Sequence, residues 1–255
     1  MSPPTDNEPW CSSILGYSIG QFAPGHTSDR KKSSIGDASR EPWLVGHSIL
    51  VSHGAAVKVY REEFKPQDGG IIGITLNGDW VEPWDANDEK DVEACQRKLE
   101  FSIAWYGDPI YKGDYPASMR KQLGDRLPQF TDKERELVQG SNDFYGMNHY
   151  TADYIKHLDT EATPEDFSGN LEMSKDNKDG HQIGPETQSP WLRPYPVGFR
   201  KLMKWISDRY DRPIMYVTEN GTSLKGENDL SKDEILEDDF RLEYYQGYVN
   251  AMAEA

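Results

Sequence analysis

Two carboxylates in this chain stand where chemistry could be done. Glu219 closes the apolar, β-branched run Ile214-Met-Tyr-Val-Thr and is followed at once by Asn220-Gly221. An apolar run of that length, bounded by turn residues, predicts a buried strand. Asn220-Gly221 supplies the turn, because Gly tolerates positive φ and Asn nearly does. Glu219 is thus expected at the carboxyl end of a buried strand, where parallel α/β sheets and barrels build their sites. Taken alone, the pattern is no more than a strand and a turn. Glu8, in Asn7-Glu8-Pro9, is a second carboxylate followed by a chain-breaker. Two carboxylates on separate segments are what retaining glycoside hydrolysis requires: one attacks the anomeric carbon, the other gives and recovers a proton. They lie almost at opposite ends of the sequence, so only the fold can bring them together.

The elements that must do so belong to a chain of 255 residues, enough for one large domain or two small ones. It is 36% hydrophobic and 11% aromatic, which suits a globular core or a sugar-binding wall. With 28 Lys+Arg against 44 Asp+Glu, the net charge of −16 argues against nucleic-acid or anionic-membrane partners, which need a basic face. Cys11 and Cys95 are too few for a disulfide framework, and no CxxC motif is present. Free thiols in a reducing compartment are expected. Neither cysteines nor histidines have metal-ligand spacing, and no metal or organic cofactor is implied. No apolar run reaches membrane-span length, and the first residues are polar, without the apolar core of a signal peptide. A cytoplasmic location is the expectation for the sequence as given.

Along the chain, residues 12–25 read as an ordered loop and residues 26–39 as a flexible, Ser-rich insertion. Residues 42–64 predict a helix with Pro42 in its first turn. Residues 71–77 predict a strand ending in Asn77, followed by an aromatic loop with Trp80, Pro83 and Trp84. A long amphipathic helix over 88–106 places Val92, Leu99, Phe101, Ile103 and Trp105 on its apolar side. A short helix follows at 117–123, and Thr131 with Glu134 forms a capping-box pattern for another. Residues 143–150 predict a strand carrying Asn148 and Tyr150 at its carboxyl end. A patternless surface loop over 159–180, a helix over 198–210, the Ile214–Thr218 strand and a last helix over 238–255 complete the order. Alternating strands and helices mean βα units around a parallel sheet, with no linker dividing residues 1–255. Only three strands are clear, although a complete eightfold βα barrel takes about 250 residues.

These residues resemble glycoside hydrolase family 1, the β-glucosidases, and most closely its fungal, intracellular-type members. The two signature motifs Thr-x-Asn-Glu-Pro and Thr-Glu-Asn-Gly stand here as Thr5 to Pro9 and Thr218 to Gly221. Further matches are Gly16-Tyr17, Phe22 to Gly25, Glu41-Pro42-Trp43, Gly46-His47, His53-Gly54-Ala55, Asn142 to Tyr150, Trp191 to Pro194 and Asp238 to Arg241. The resemblance implies an α/β fold, a (β/α)8 TIM barrel. It makes Glu8 the general acid/base and Glu219 the nucleophile of β-glucoside or cello-oligosaccharide hydrolysis. The chemistry asks for Glu8 protonated and Glu219 ionised. By the same resemblance Tyr150 hydrogen-bonds the nucleophile and Asn7 holds the sugar 2-hydroxyl. Asn77, Trp80 and Asn148 match aglycone-side or pocket-lining positions. Glu8 also separates the chain from the thioglucosidase branch, which carries Gln there.

The likeness runs only from about the end of the family's fourth strand through the helix behind the seventh. Asp6 replaces an aromatic residue of the first motif, and the family's other sugar-gripping segments have no counterpart here. The expectation is a partial barrel whose open strand edges invite self-association and impair turnover. The alternative is a non-catalytic remnant with weak sugar binding, or one half of a fragment pair.

Overall fold

A computed structural model describes residues 5–255; the polar start read for Met1–Pro4 lies outside them. The chain enters extended. Residues 5–8 run parallel to β1 (Gly73–Asn77), through Thr5 N to Gly73 O at 3.0 Å, Thr75 N to Asp6 O at 3.2 Å and Glu8 N to Thr75 O at 3.1 Å. Pro9 cannot continue a ladder, and the chain turns there into a helical stretch with a π-turn at Cys11–Leu15. The expected loop therefore begins as helix. The expected flexible insertion is instead tied down. Arg30 donates to the carbonyls of Thr27 (2.8 Å) and Gly36 (2.7 Å), and Ala38 N donates to Ser28 Oγ (2.9 Å).

Helix α1 (Glu41–Val59) opens with Pro42 and buries Trp43, Gly46, Leu50, His53, Gly54 and Val57, one stripe at three- and four-residue steps. Gly54 is required by contact: a Cβ there would lie 2.5 Å from the Leu137 carbonyl oxygen. A π-turn at Tyr60–Phe64 and α2 (Lys65–Asp68) carry the helix on until Gly69 ends it at φ 64°. After β1 the predicted aromatic loop is a strand, β2 (Trp80–Pro83). Helix α3 (Glu89–Leu99) starts at Asp88, whose side chain caps Lys90 N; it passes through a π-turn at Glu100–Ala104 into α4 (Trp105–Lys112). Val92, expected on the apolar side, faces solvent. Helix α5 (Ala117–Leu123) precedes α6 (Asp132–Val138), which has the predicted Thr131–Glu134 capping box.

Strand β3 (Phe144–His149) is buried along its whole length. Strand β4 (Ala152–His157) follows it, and β5 (Leu171–Ser174) arises within the segment read as a patternless loop. Helix α7 (Pro196–Arg209) leads to β6 (Met215–Asn220), which runs two residues past the predicted end and includes Glu219. Helices α8 (Lys232–Leu236) and α9 (Asp239–Ala253) complete the described chain.

The main sheet is parallel, in the order β1-β3-β6, with residues 5–8 on the outer side of β1. A second sheet, β2-β4-β5, continues it: β2 pairs β4 parallel and β5 returns antiparallel. Apolar residues from α1, the α3–α4 helix, α7 and α9 cover the main sheet around Trp43, Trp105, Phe101, Leu50, Leu76, Met147, Phe199 and Leu202. β6 pairs only with β3 among the described residues, and Ile214 beside it is 63% exposed. On α9, Leu242, Tyr245, Val249 and Met252 form an exposed apolar stripe.

Two buried histidines make this fold acid-sensitive. His149 packs against Phe199 and Tyr248, its Nδ1 lies 2.5 Å from the Gly78 carbonyl oxygen, and its Nε2 is buried without a partner. Burial lowers both His149 and His53 from 6.5 to about 4. The unfolded chain takes up these protons near 6.5 and the folded chain only near 4, so between those values the unfolded state binds more. Stability is therefore full above about pH 6.5 and falls as pH drops toward 4, by on the order of 3 kcal/mol per histidine. Urea midpoints measured from pH 7 to pH 4 are expected to show this loss, and a His53→Gln/His149→Gln variant a smaller one. An equal slope in the variant overturns the assignment.

Candidate active site

The carboxyl ends of the four parallel segments bring together Asn7, Glu8, Asn148, Tyr150 and Glu219. Glu8 makes the last ladder contact of its segment and has φ 52°, a left-handed conformation that a residue with a side chain rarely adopts. Its backbone is fixed there by its own N–H on Thr75 O and by Ser12 N–H on its carbonyl at 3.2 Å. Strained backbone of this kind persists only where the surroundings over-determine it.

Asn148 is the hub. It is 1% exposed, and all of its side-chain bonds go to other strands. Its Nδ2 donates to Asn7 Oδ1 (3.0 Å) and to Glu8 Oε1 (3.1 Å), while its Oδ1 accepts from Thr218 Oγ1 (2.7 Å). Asn7 Nδ2 in turn donates to Glu219 Oε1 at 3.3 Å, and Tyr150 OH donates to Glu219 Oε2 at 2.7 Å. Each carboxylate is thus held by one amide of the same Asn7–Asn148 pair. Burial first, then the bond to Glu219 and its charge, push the Tyr150 hydroxyl well up, so it stays a proton donor to that carboxylate.

A bulge in the β3–β6 ladder makes this arrangement possible. Met147 pairs with Val217, but Asn148 pairs with Glu219, so Thr218 is the extra residue. In a regular strand neighbouring side chains point to opposite faces. The bulge lets Thr218 reach Asn148 while Glu219 reaches Asn7 and Tyr150. The turn beyond is held by α9. Tyr244 OH donates to the Gly221 carbonyl (3.0 Å), Tyr245 OH to that of Asn220 (3.4 Å), and Asn220 Nδ2 to the carbonyl of His149 (2.8 Å).

The other expected residues sit further out. Asn77, at the end of β1, donates through Nδ2 to Cys11 Sγ at 3.3 Å. Trp80 does not join the hydrogen-bonded group: its indole N–H donates to Glu82 Oε1 (3.0 Å), and its ring lies against Gly198 of α7. Three participants went unread in the sequence. Thr218 opens the matched Thr-Glu-Asn-Gly motif but carries no signal of its own partner, and Cys11 lies two residues past the other motif. Trp191, 54% exposed and edge-on to Tyr150 with ring centroids 6.0 Å apart, lies within a matched motif and offers an apolar face beside the site.

The model of the family "Glycosyl hydrolase family 1" matches residues 4–255. Beta-glucosidase 1B of Phanerodontia chrysosporium is 50% identical over 98% of this chain and 45% of its own length. The solved GH1 beta-glucosidase of Humicola insolens, in complex with glucose, superposes with a TM-score of 0.95 at 66% identity, covering 97% of this chain and 52% of that one. The beta-glucosidase of Trichoderma harzianum gives 0.92 and 61%, over 98% and 51%. The chain spans about half the length of the relatives it matches. It belongs to glycosyl hydrolase family 1, and its parallel strands are an arc of that family's eightfold βα barrel.

Proposed function

We propose that this chain carries the catalytic carboxylates of a retaining β-glucosidase, with Glu219 as nucleophile and Glu8 as general acid/base. The observation that supports this most is that Asn7 and Asn148 tie both carboxylates into one bonded group at the carboxyl ends of the strands. In the first step a Glu219 oxygen attacks the anomeric carbon, the glycosidic C–O bond breaks, and Glu8 gives its proton to the departing oxygen. In the second, water attacks the glycosyl–Glu219 ester, Glu8 takes the water's proton, and Glu219 leaves as carboxylate. Tyr150 stabilises the ionised nucleophile by donating to it. Asn7 Nδ2, now on Glu219, is placed to move to a sugar hydroxyl when substrate enters. Terminal β-glucosides and cello-oligosaccharides are the proposed substrates, by analogy with the beta-glucosidases above.

The outer edge of β6, unpaired among the described residues, and the apolar stripe on α9 favour a second element of the reading: the chain self-associates, and turnover is weak. A strand edge with free N–H and C=O groups pairs readily with another chain.

Hydrolysis of an aryl β-glucoside by the purified chain tests the catalytic assignment. Any turnover is expected to fall by about 10³-fold or more in Glu219→Gln, the scale of losing a covalent step. Turnover that survives the substitution removes Glu219 from the mechanism. Sedimentation across a concentration series tests the open edge: the average mass is expected to rise with concentration. A monodisperse monomer with a cooperative thermal transition would sink that element.

A further inference from the structure

Pro9 follows Glu8 and has no N–H, so its carbonyl is its only backbone hydrogen-bonding group. That carbonyl accepts from the hydroxyl of Tyr106, on α4, at 3.0 Å. A phenol has one proton to give. With that proton on Pro9, the 2.9 Å contact between the Tyr106 hydroxyl and Ser13 Oγ has Ser13 as its donor. The hydrogen bonds therefore run from Ser13 to Tyr106 to Pro9, and they are dry: Tyr106 is 1% exposed and Ser13 0%. We propose that Tyr106, with Ser13 behind it, is a positioning residue for Glu8, locking the turn from which the Glu8 side chain departs. This rests on the assignment of Glu8 as acid/base.

The left-handed backbone of Glu8 needs several contacts to agree. Its own N–H and carbonyl bond to Thr75 and Ser12. The Tyr106 bond adds a hold on the next residue, and it comes from a helix of the core. The phenol cannot follow the turn if the turn moves. Gly46 of α1 lies so close that a Cβ there would be 3.0 Å from the Tyr106 hydroxyl oxygen and 2.5 Å from the Trp105 ring. The anchor is thus set by the packing of α1 on α4. Burial pushes the Tyr106 hydroxyl well up, so it remains a proton donor. Without this bond the peptide beyond Glu8 is free to rotate. Rotation there swings the carboxyl group relative to Asn148, 3.1 Å from Oε1, and relative to a leaving oxygen. Glu219 keeps its bond from Tyr150, which does not pass through this turn. The loss falls on proton transfer.

Tyr106→Phe removes the hydroxyl and keeps the ring. Backbone amide exchange, resolved to single residues by fragmentation, tests the hold without needing turnover. The variant is expected to speed exchange at Glu8 and Ser12 about tenfold or more, and to leave the β3 amides within about twofold. Ser13→Ala is expected to do less, and to add nothing on top of Tyr106→Phe, because Ser13 acts through the phenol. Unchanged rates at Glu8 and Ser12, or the same rise in β3, overturn the proposal. In turnover, kcat/KM reports the glycosylation step. There Tyr106→Phe is expected to slow a glucoside with a poor leaving group about fivefold more than a dinitrophenyl glucoside, which needs no proton. An equal loss on both means a merely structural tyrosine and also overturns the proposal. Glu8→Gln tells this failure from that of the wider reading. If that variant slows both glucosides alike in kcat/KM, the acid/base assignment itself fails, and the proposal falls with it.

Discussion

Everything at the site hangs on one buried amide. Asn148 has two N–H groups and one carbonyl, and each is used: one N–H on Asn7, one on Glu8, the carbonyl on Thr218. These three partners belong to two other strand segments, so the amide fixes the relative height of three strands at their carboxyl ends. A buried amide with a lost partner costs about 1–3 kcal/mol, which makes each of the three contacts depend on the other two. The bulge at Thr218 is the backbone's accommodation to this demand. Without the extra residue, a period-two strand would turn either Thr218 or Glu219 away from the strand ends.

Much of the frame could be read from residues, and the reason is physical. A parallel strand buried on both faces is a continuous apolar run, and β1 and β3 read that way and are buried; β6 reads the same, but none of its residues is buried, because it has a strand neighbour on one side only among the described residues. Polar groups at the end of such a run stand out against it, so Asn148, Tyr150 and Glu219 were visible as candidates. Helix starts were legible where side chains cap them, as Thr131 and Asp88 do. The second sheet was not legible. β2, β4 and β5 are short and half-exposed, and they are held by ladders between distant segments, so no local period marks them. The order in residues 26–39 was hidden for a similar reason: Ser, Lys and Asp suggest solvent, yet Arg30 finds two backbone carbonyls within the same loop. Thr218 gains its role only from proximity to Asn148 created by the fold.

The arc of strands has unequal sides. Its middle is dry: β3 is buried throughout, and Trp43, Trp105 and Met147 are fully enclosed. Its last strand has one partner among the described residues, and α9 shows apolar residues to water. The hydrophobic effect alone would draw such a surface toward another apolar face. The charge of −16 opposes association between copies of the chain, more so at low salt than at high.

The two tyrosine hydroxyls of α9 on the Asn220–Gly221 turn give that helix a mechanical role. Among the described residues β6 has a sheet neighbour on one side only, and its carboxyl end is also held by Tyr244 and Tyr245. Tyr248, one helical turn on, accepts from Tyr195 N–H at 2.9 Å and rests on Phe199, which roots α9 in the helix before β6. Undocking of α9 and loosening of the Glu219 turn are therefore one event, a single cooperative opening unit. Glu219 is only as rigid as the grip of a helix that lies far along the chain from Glu8.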